Sequence, residues 1–179
     1  MFELIFFIFI GFLLFFLFWH SYATRNSPYI SIPNEVLPET IKTLHVKKGD
    51  IVYDLGSGDG KVLFALYEKE PNAKYIGIDI SYWPYFVSKR KKEQNHDKAD
   101  LTFYRQDVFD TELSAATHIF IYSSAQFMDD ILPKLKKELV KGTRLVSCDF
   151  KFSDKKEIQV IDLGRQGEKF GKNLYVYEF

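Results

Sequence analysis

The feature that most restricts how this chain can fold is a turn. Residues Ile51 to Leu66 read IVYDLGSGDGKVLFAL, three glycines alternating with Ser57 and Asp59 between a β-branched apolar run and an apolar-periodic one. A strand that enters a glycine-rich turn and leaves as a helix is the opening unit of an open parallel sheet, and ligands of such sheets gather at the carboxyl ends of the strands. The turn is therefore expected at the floor of a site.

The rest of the chain repeats the alternation. KYIGIDI, LTFYRQD, HIFIY, TRLVSCDF, EIQVIDL and NLYVYEF read as further strands. Helices are expected over KVLFALYEKE, from Tyr82 to Gln94, and from Gln126 to Val140, where Pro133 should reset the register and Gly142 should follow the stop. Only the loop GRQGEKFGK separates the last two strands, so they must close the sheet as an antiparallel pair. The expectation is a doubly wound α/β fold: a mostly parallel seven-stranded sheet with an antiparallel last strand.

The spacing of the turn excludes two common ligands. A dinucleotide fold uses G-x-G-x-x-G, but here the third glycine, Gly60, comes one residue early and Lys61 stands in its place. A P-loop would close on G-K-[ST], which is absent. Asp54 and Asp59 flank the turn and would repel a pyrophosphate. They suit a ligand that carries positive charge and hydroxyls, such as S-adenosylmethionine, with its sulfonium, ammonium and ribose diol. In that reading Asp54 and the amides around Gly56, Ser57, Gly58 and Gly60 meet the methionine end. Asp79, at the end of the second strand, accepts from the ribose hydroxyls, and Asp107, past the third, accepts from the adenine amino group. Taken singly, each of these acids is as readily a turn former or helix cap.

The residues YDLGSGDGK, GIDIS and RQDV resemble the signature of class I, seven-strand S-adenosylmethionine-dependent methyltransferases. SPYISIPNEVLPETI, GIDISYWPYFVSK and IYSSAQFM narrow this to a likeness with the membrane-anchored lysine methyltransferases of the ATP synthase c subunit and adenine nucleotide translocase, and their bacterial relatives. The resemblance implies a Rossmann-like methyltransferase, adds Ile80, Trp83 and Val108 to the cofactor contacts, and makes Tyr29, Tyr122, Ser123 and Gln126 candidates for the acceptor channel. It supplies no catalytic base. Asp79 replaces the family's usual Glu, Ala125 stands where proline is common, and Asp149 stands where related chains often carry Arg. The last two departures fall around the acceptor, so they bear on the substrate.

The N-terminus, MFELIFFIFIGFLLFFLFWH, is the remaining constraint. Its run from Phe2 to Trp19, about 27 Å as a helix, suggests a retained single membrane span over residues 1–24. Trp19, His20 and Tyr22 would anchor it at the interface. A cleaved leader is the rival reading, since Ser21-Tyr22-Ala23 resembles a small-x-small site, but Glu3 and the missing Lys or Arg oppose it. Arg25 tilts the globular part towards the cytoplasmic side, which would be a mitochondrial membrane in a eukaryote. Residues 25–48 then form a connector and lid helix with Asn34 as a cap, and residues 49–179 the methyltransferase domain. The expected function is methylation of a lysine on a membrane-associated protein, with a small-molecule or lipid acceptor at the membrane and a non-catalytic cofactor-binding scaffold as the alternatives; the expected partners are the membrane and a membrane protein presenting a lysine.

Other partners are not indicated. With 24 basic and 24 acidic residues, the chain shows no electrostatic footprint for nucleic acid. Its four histidines and single cysteine, Cys148, have no metal-ligand spacing. The basic run KRKK, Lys89 to Lys92, reads as a solvated helix end, with acidic headgroups as the competing partner.

Overall fold

A computed structural model describes residues 2–23, 30–97 and 99–179. Seven strands form one sheet: β1 Ile51–Leu55, β2 Lys74–Asp79, β3 Leu101–Arg105, β4 His118–Ile121, β5 Arg144–Cys148, β6 Gln159–Asp162 and β7 Asn173–Glu178. Their order is β3-β2-β1-β4-β5-β7-β6, with strands one to five parallel and β7 antiparallel to both β5 and β6. The expected antiparallel closure is present, and β7 is inserted between β5 and β6. Strand order reverses at β1, so the crevice between the ends of β1 and β4 is the switch point where ligands bind.

Among the described residues there are five α-helices: α1 Phe2–Ala23, α2 Leu37–Leu44, α3 Lys61–Lys69, α4 Tyr82–Asn95 and α5 Ala125–Glu138. Alternation along β1 sends Val52 and Asp54 to one face and Tyr53 and Leu55 to the other. The first face packs Val62, Leu63 and Leu66 of α3, Leu44 of α2, and the connector residues Ile32 and Val36. The second packs Met128, Ile131, Leu132 and Leu135 of α5 against Leu55, Ile119 and Ile121. Asp54 therefore emerges on the α2–α3 side, beneath the connector.

Three expectations are corrected. Helix α5 runs through Pro133 without a register break. The connector turn at Asn34–Val36 is a 3-10 turn capped by Pro33, and α2 begins after Val36, so Asn34 caps neither with its side chain. The third correction concerns the membrane span. Among the described residues no helix is long and apolar enough to cross a membrane, which overturns the single-pass assignment. The apolar run inside α1, from Leu4 to Trp19, rises only about 24 Å, against a hydrocarbon layer of roughly 30 Å. Glu3 interrupts it on one side and His20-Ser21 on the other.

Candidate active site

The cleft at the switch point is lined by Asp54, Gly56, Ser57, Gly58 and Asp59 of the turn, Lys61 and Val62 of α3, Phe120 and Tyr122 at the end of β4, and the connector residues Ile30, Ser31 and Ile32. Its free volume is about 30 Å³. Small-molecule sites usually measure roughly 300–1,000 Å³, and Asp79 and Asp107 lie outside this lining, so the enclosed space is only part of the expected site. The connector is tied to α3 by the Lys61 ammonium, which donates to the Ile32 carbonyl at 2.5 Å.

The turn is built largely from its own hydrogen bonds. The amides of Gly56 and Ser57 both donate to the Ile78 carbonyl, at 2.8 and 2.9 Å, and that of Gly60 to the Ser57 carbonyl at 2.9 Å. The Gly58 amide donates to Asp79 Oδ2 at 2.8 Å, and the Ser81 amide to Asp79 Oδ1 at 2.7 Å. These amides are committed within the protein, so the turn offers a ligand shape and carboxylates rather than a nest of free donors. Asp79 is pinned from both oxygens and keeps spare lone pairs on each.

The glycines divide by role. A Cβ on Gly56 would meet nothing within 4 Å, because the space above it belongs to the cleft. A Cβ on Gly60 would lie 2.5 Å from the Phe103 ring and 2.9 Å from Phe64. Gly60 is thus required by packing, in addition to its expected place among the ligand contacts. Gly77 was missed. Its Cβ would sit 2.5 Å from Phe103 and 2.7 Å from Ser57 Oγ, so a glycine inside β2 lets the turn lie close on the sheet. The signal was present as a glycine interrupting a strand.

The electrostatics point to a cation. Asp54 is only 2% exposed. Burial first, then the Asp79 and Asp59 carboxylates, push its carboxyl well above the usual range. A positively charged ligand would offset the repulsion that Asp79 and Asp59 exert on the Asp54 carboxylate. This fits a sulfonium–ammonium nucleoside and opposes a polyphosphate. Asp59 also takes a salt bridge from Lys91 at 2.5 Å, so one lysine of KRKK serves the turn itself, a role neither sequence reading contained.

Asp107 follows β3, where the Gln106 amide donates to the Asp79 carbonyl at 3.1 Å. Asp107 Oδ1 caps the short 3-10 turn Val108–Asp110 by accepting from the Phe109 amide, and Val108 is buried behind it. Ile80 and Trp83 are exposed beyond β2, Trp83 stacking on Phe86. Gln126 points along α5 to Asp130, while the neighbouring Ser124 caps that helix. Ser123 is half-buried beside Tyr122. Tyr29 lies outside the described residues. Among those described, no group of His, Cys, Asp or Glu side chains could hold a metal ion.

Fold, switch-point cleft and acid-lined glycine turn together define a Rossmann-like methyltransferase. The family model described as the ANTKMT methyltransferase domain matches residues 54–159, and the chain belongs to that family. It is an S-adenosylmethionine-dependent methyltransferase. A protein-lysine N-methyltransferase of Saccharolobus islandicus is 29% identical over 138 residues, covering 75% of this chain and 86% of that protein. The human lysine N-methyltransferase of the ATP synthase c subunit is 26% identical over 125 residues, covering 70% of this chain and 52% of that protein. The chain thus spans most of the archaeal relative but about half of the human one. A Salinibacter ruber RNA methyltransferase crystallised with S-adenosyl-L-homocysteine superposes with a TM-score of 0.76 at 24% identity, covering 83% of this chain and 93% of that one, and supports the fold.

Proposed function

We propose that this chain methylates the side-chain amine of lysine in a partner protein, with a membrane-associated protein as the finer substrate class. The observation that carries the reading is a cleft lined by Asp54 and Asp59 of the turn, Tyr122 at the end of β4 and the connector residues Ile30–Ile32. The relatives support lysine as the acceptor, and two of their names specify the ATP synthase c subunit and the adenine nucleotide translocase.

The chemistry asks little of the protein beyond alignment. The cofactor supplies an activated methyl group on its sulfonium. Asp54, Asp79 and Asp107 are the residues that would hold its amino, ribose and adenine groups. A lysine must shed a proton before attack, which costs about 4–5 kcal/mol at neutral pH from an ordinary pKa of about 10.4. A desolvated channel beside positive charge lowers that cost, and Ile30 and Ile32 add apolar surface to the cleft lining.

The test is to incubate the protein with tritiated-methyl cofactor and membrane and soluble fractions of its host, then hydrolyse the labelled material. Label recovered as methyllysine, with most of it in membrane protein, is expected. Label confined to lipid extract, RNA or small molecules would refute the lysine assignment. Methyllysine only in soluble protein would remove the finer class.

A further inference from the structure

Helix α4 turns aromatic residues outward. Tyr82, Trp83 and Phe86 are 61, 70 and 42% exposed, while Ser88 is buried and Tyr85 packs on the core. Phe86 stacks on both of the other rings, on Tyr82 at 6.4 Å and 14° and on Trp83 at 6.0 Å and 27°. The Arg105 guanidinium, from the end of β3, stands 5.7 Å over the Tyr82 ring. One turn beyond Phe86, on the same helix face, come the exposed Lys89 and Arg90 of the KRKK run. Outward aromatic surface of this kind marks an interaction site, and the cofactor cleft accounts for none of Tyr82, Phe86, Lys89 and Arg90.

The charges beside the rings identify the counterpart. Among the described residues, Lys89, Arg90 and Arg105 form no ion pair. The acids of this segment, Glu93 and Asp97, come after the cations, towards the far end of the helix. The partner must therefore be anionic and offer apolar depth. An anionic bilayer does both: Tyr and Trp rings settle at headgroup level, and Lys and Arg lay their stems along apolar surface while their charges meet lipid phosphates. Two rivals fit less well. Single-stranded nucleic acid stacks its bases on free ring faces, but these rings are stacked on one another and under Arg105, and the net charge of the chain is zero. Protein interfaces favour aromatic and Arg anchors but are depleted of lysine, whereas Lys89 follows Phe86 directly on the face.

We propose that the outer face of α4 from Tyr82 to Arg90, with Arg105 beside it, is a docking surface for an anionic lipid bilayer. The rings enter the headgroup layer, and Lys89, Arg90 and Arg105 meet lipid phosphates. Such a contact is peripheral and needs no helix that crosses the membrane. Lys91 takes no part, because it is engaged with Asp59 of the glycine turn. The helix starts after Ser81, whose amide donates to Asp79 Oδ1 at 2.7 Å. The docked face therefore adjoins the end of β2 and holds the domain close to acceptors at the bilayer surface. The inference goes beyond the lysine reading and does not depend on which group accepts the methyl.

The experiment uses the full chain carrying Trp19→Phe, which leaves Trp83 as its one tryptophan. The probes are vesicles of phosphatidylcholine, alone or mixed with phosphatidylglycerol, whose acyl chains carry bromine, a quencher of tryptophan on contact. At saturating lipid, Trp83 emission should fall at least twofold on the anionic vesicles and recover in high salt, which screens the attraction. Because the signal is read at Trp83, lipid contact elsewhere on the chain does not count. Lys89→Glu combined with Arg90→Glu should restore at least half of the lost emission, while S-adenosylhomocysteine affinity stays within twofold. Tyr82→Ser keeps every charge and should also weaken the quenching, which separates a seated ring from charge attraction alone. Equal quenching on neutral and anionic vesicles, or quenching untouched by the double charge reversal, overturns the proposal. So does a Trp83 that answers oligouridylate or polyglutamate but not vesicles, which would assign the face to nucleic acid or to an acidic protein. Methyllysine formation is scored separately, so a failed docking surface and a failed lysine assignment give different results.

Discussion

Replacing Gly56 and Gly60 in turn by alanine should separate a glycine that serves the ligand from one that serves the fold. Both have positive φ, +87° and +80°, so each substitution carries a left-handed backbone cost of roughly 1–2 kcal/mol. At Gly56 that is the whole stability cost, because its Cβ meets nothing within 4 Å. At Gly60 the new methyl drives into Phe103 at 2.5 Å and Phe64 at 2.9 Å, and overpacking adds about 1–3 kcal/mol. Gly60→Ala should therefore destabilise by about 2–5 kcal/mol and Gly56→Ala by about 1–2 kcal/mol. Urea unfolding followed by circular dichroism measures both. Phe103→Leu shortens the obstructing side chain and should recover part of the Gly60→Ala loss, with a coupling of about 0.5–3 kcal/mol in the double mutant. Cofactor binding should run the other way. The Gly56 methyl enters the space the nucleoside needs, so S-adenosylhomocysteine affinity should fall at least tenfold, about 1.4 kcal/mol. Equal destabilisation by the two substitutions, or no rescue by Phe103→Leu, would refute the division of roles.

Other consequences are equally direct. The raised pKa of Asp54 means that its ionisation opposes folding: this contribution favours the folded state below the unfolded carboxyl value of about 3.9 and is lost as pH rises towards the folded value. Asp54→Asn should thus stabilise the unliganded protein at pH 7 relative to pH 4, and costs about 1.5–3 kcal/mol of cofactor affinity. Cofactor binding to the wild type should release protons, read by calorimetry in buffers of different ionisation enthalpy. Lys91→Ala removes a half-exposed pair with Asp59 and should change stability by less than about 1 kcal/mol, measured by urea unfolding. Lys61→Met releases the Ile32 carbonyl and should accelerate amide exchange over residues 32–36, with protection elsewhere in the sheet unchanged.

Much of this architecture was legible because strong local signals agreed with the tertiary outcome. The β-branched runs became β1 to β7, and the lack of a helix between β6 and β7 correctly announced an antiparallel edge. Asp54 reached the cleft because a strand-end carboxylate beside a glycine turn has few other places to go. What escaped were contacts between distant segments. Nothing near Lys61 indicates that its ammonium meets a carbonyl 29 residues earlier, and nothing near Lys91 indicates Asp59, 32 residues away. Trp83 and Gln126 were named by resemblance, and their partners, Phe86 and Asp130, lie on their own helices and follow from helical phase. Asp107 shows how two readings can hold together: its Oδ1 caps a turn, while it remains at the carboxyl end of β3 beside Asp79.

The connector packs into two parts of the fold. Ile32 and Val36 are buried in the same core as Val62 and Phe120, so the roof is part of the folded domain. A Cβ on Gly171 would lie 2.6 Å from Val36 and 3.3 Å from Pro33, and Gly171 is also the residue whose amide holds Asp149 Oδ2. Close-packed contacts transmit displacements rather than absorb them, so the connector and the Gly171 loop are held as one packed unit. Gly171→Ala combines a left-handed backbone, φ +73°, with this close approach to Val36 and should destabilise the fold by about 2–5 kcal/mol, measured by urea unfolding; a loss below about 1 kcal/mol would refute the packing argument.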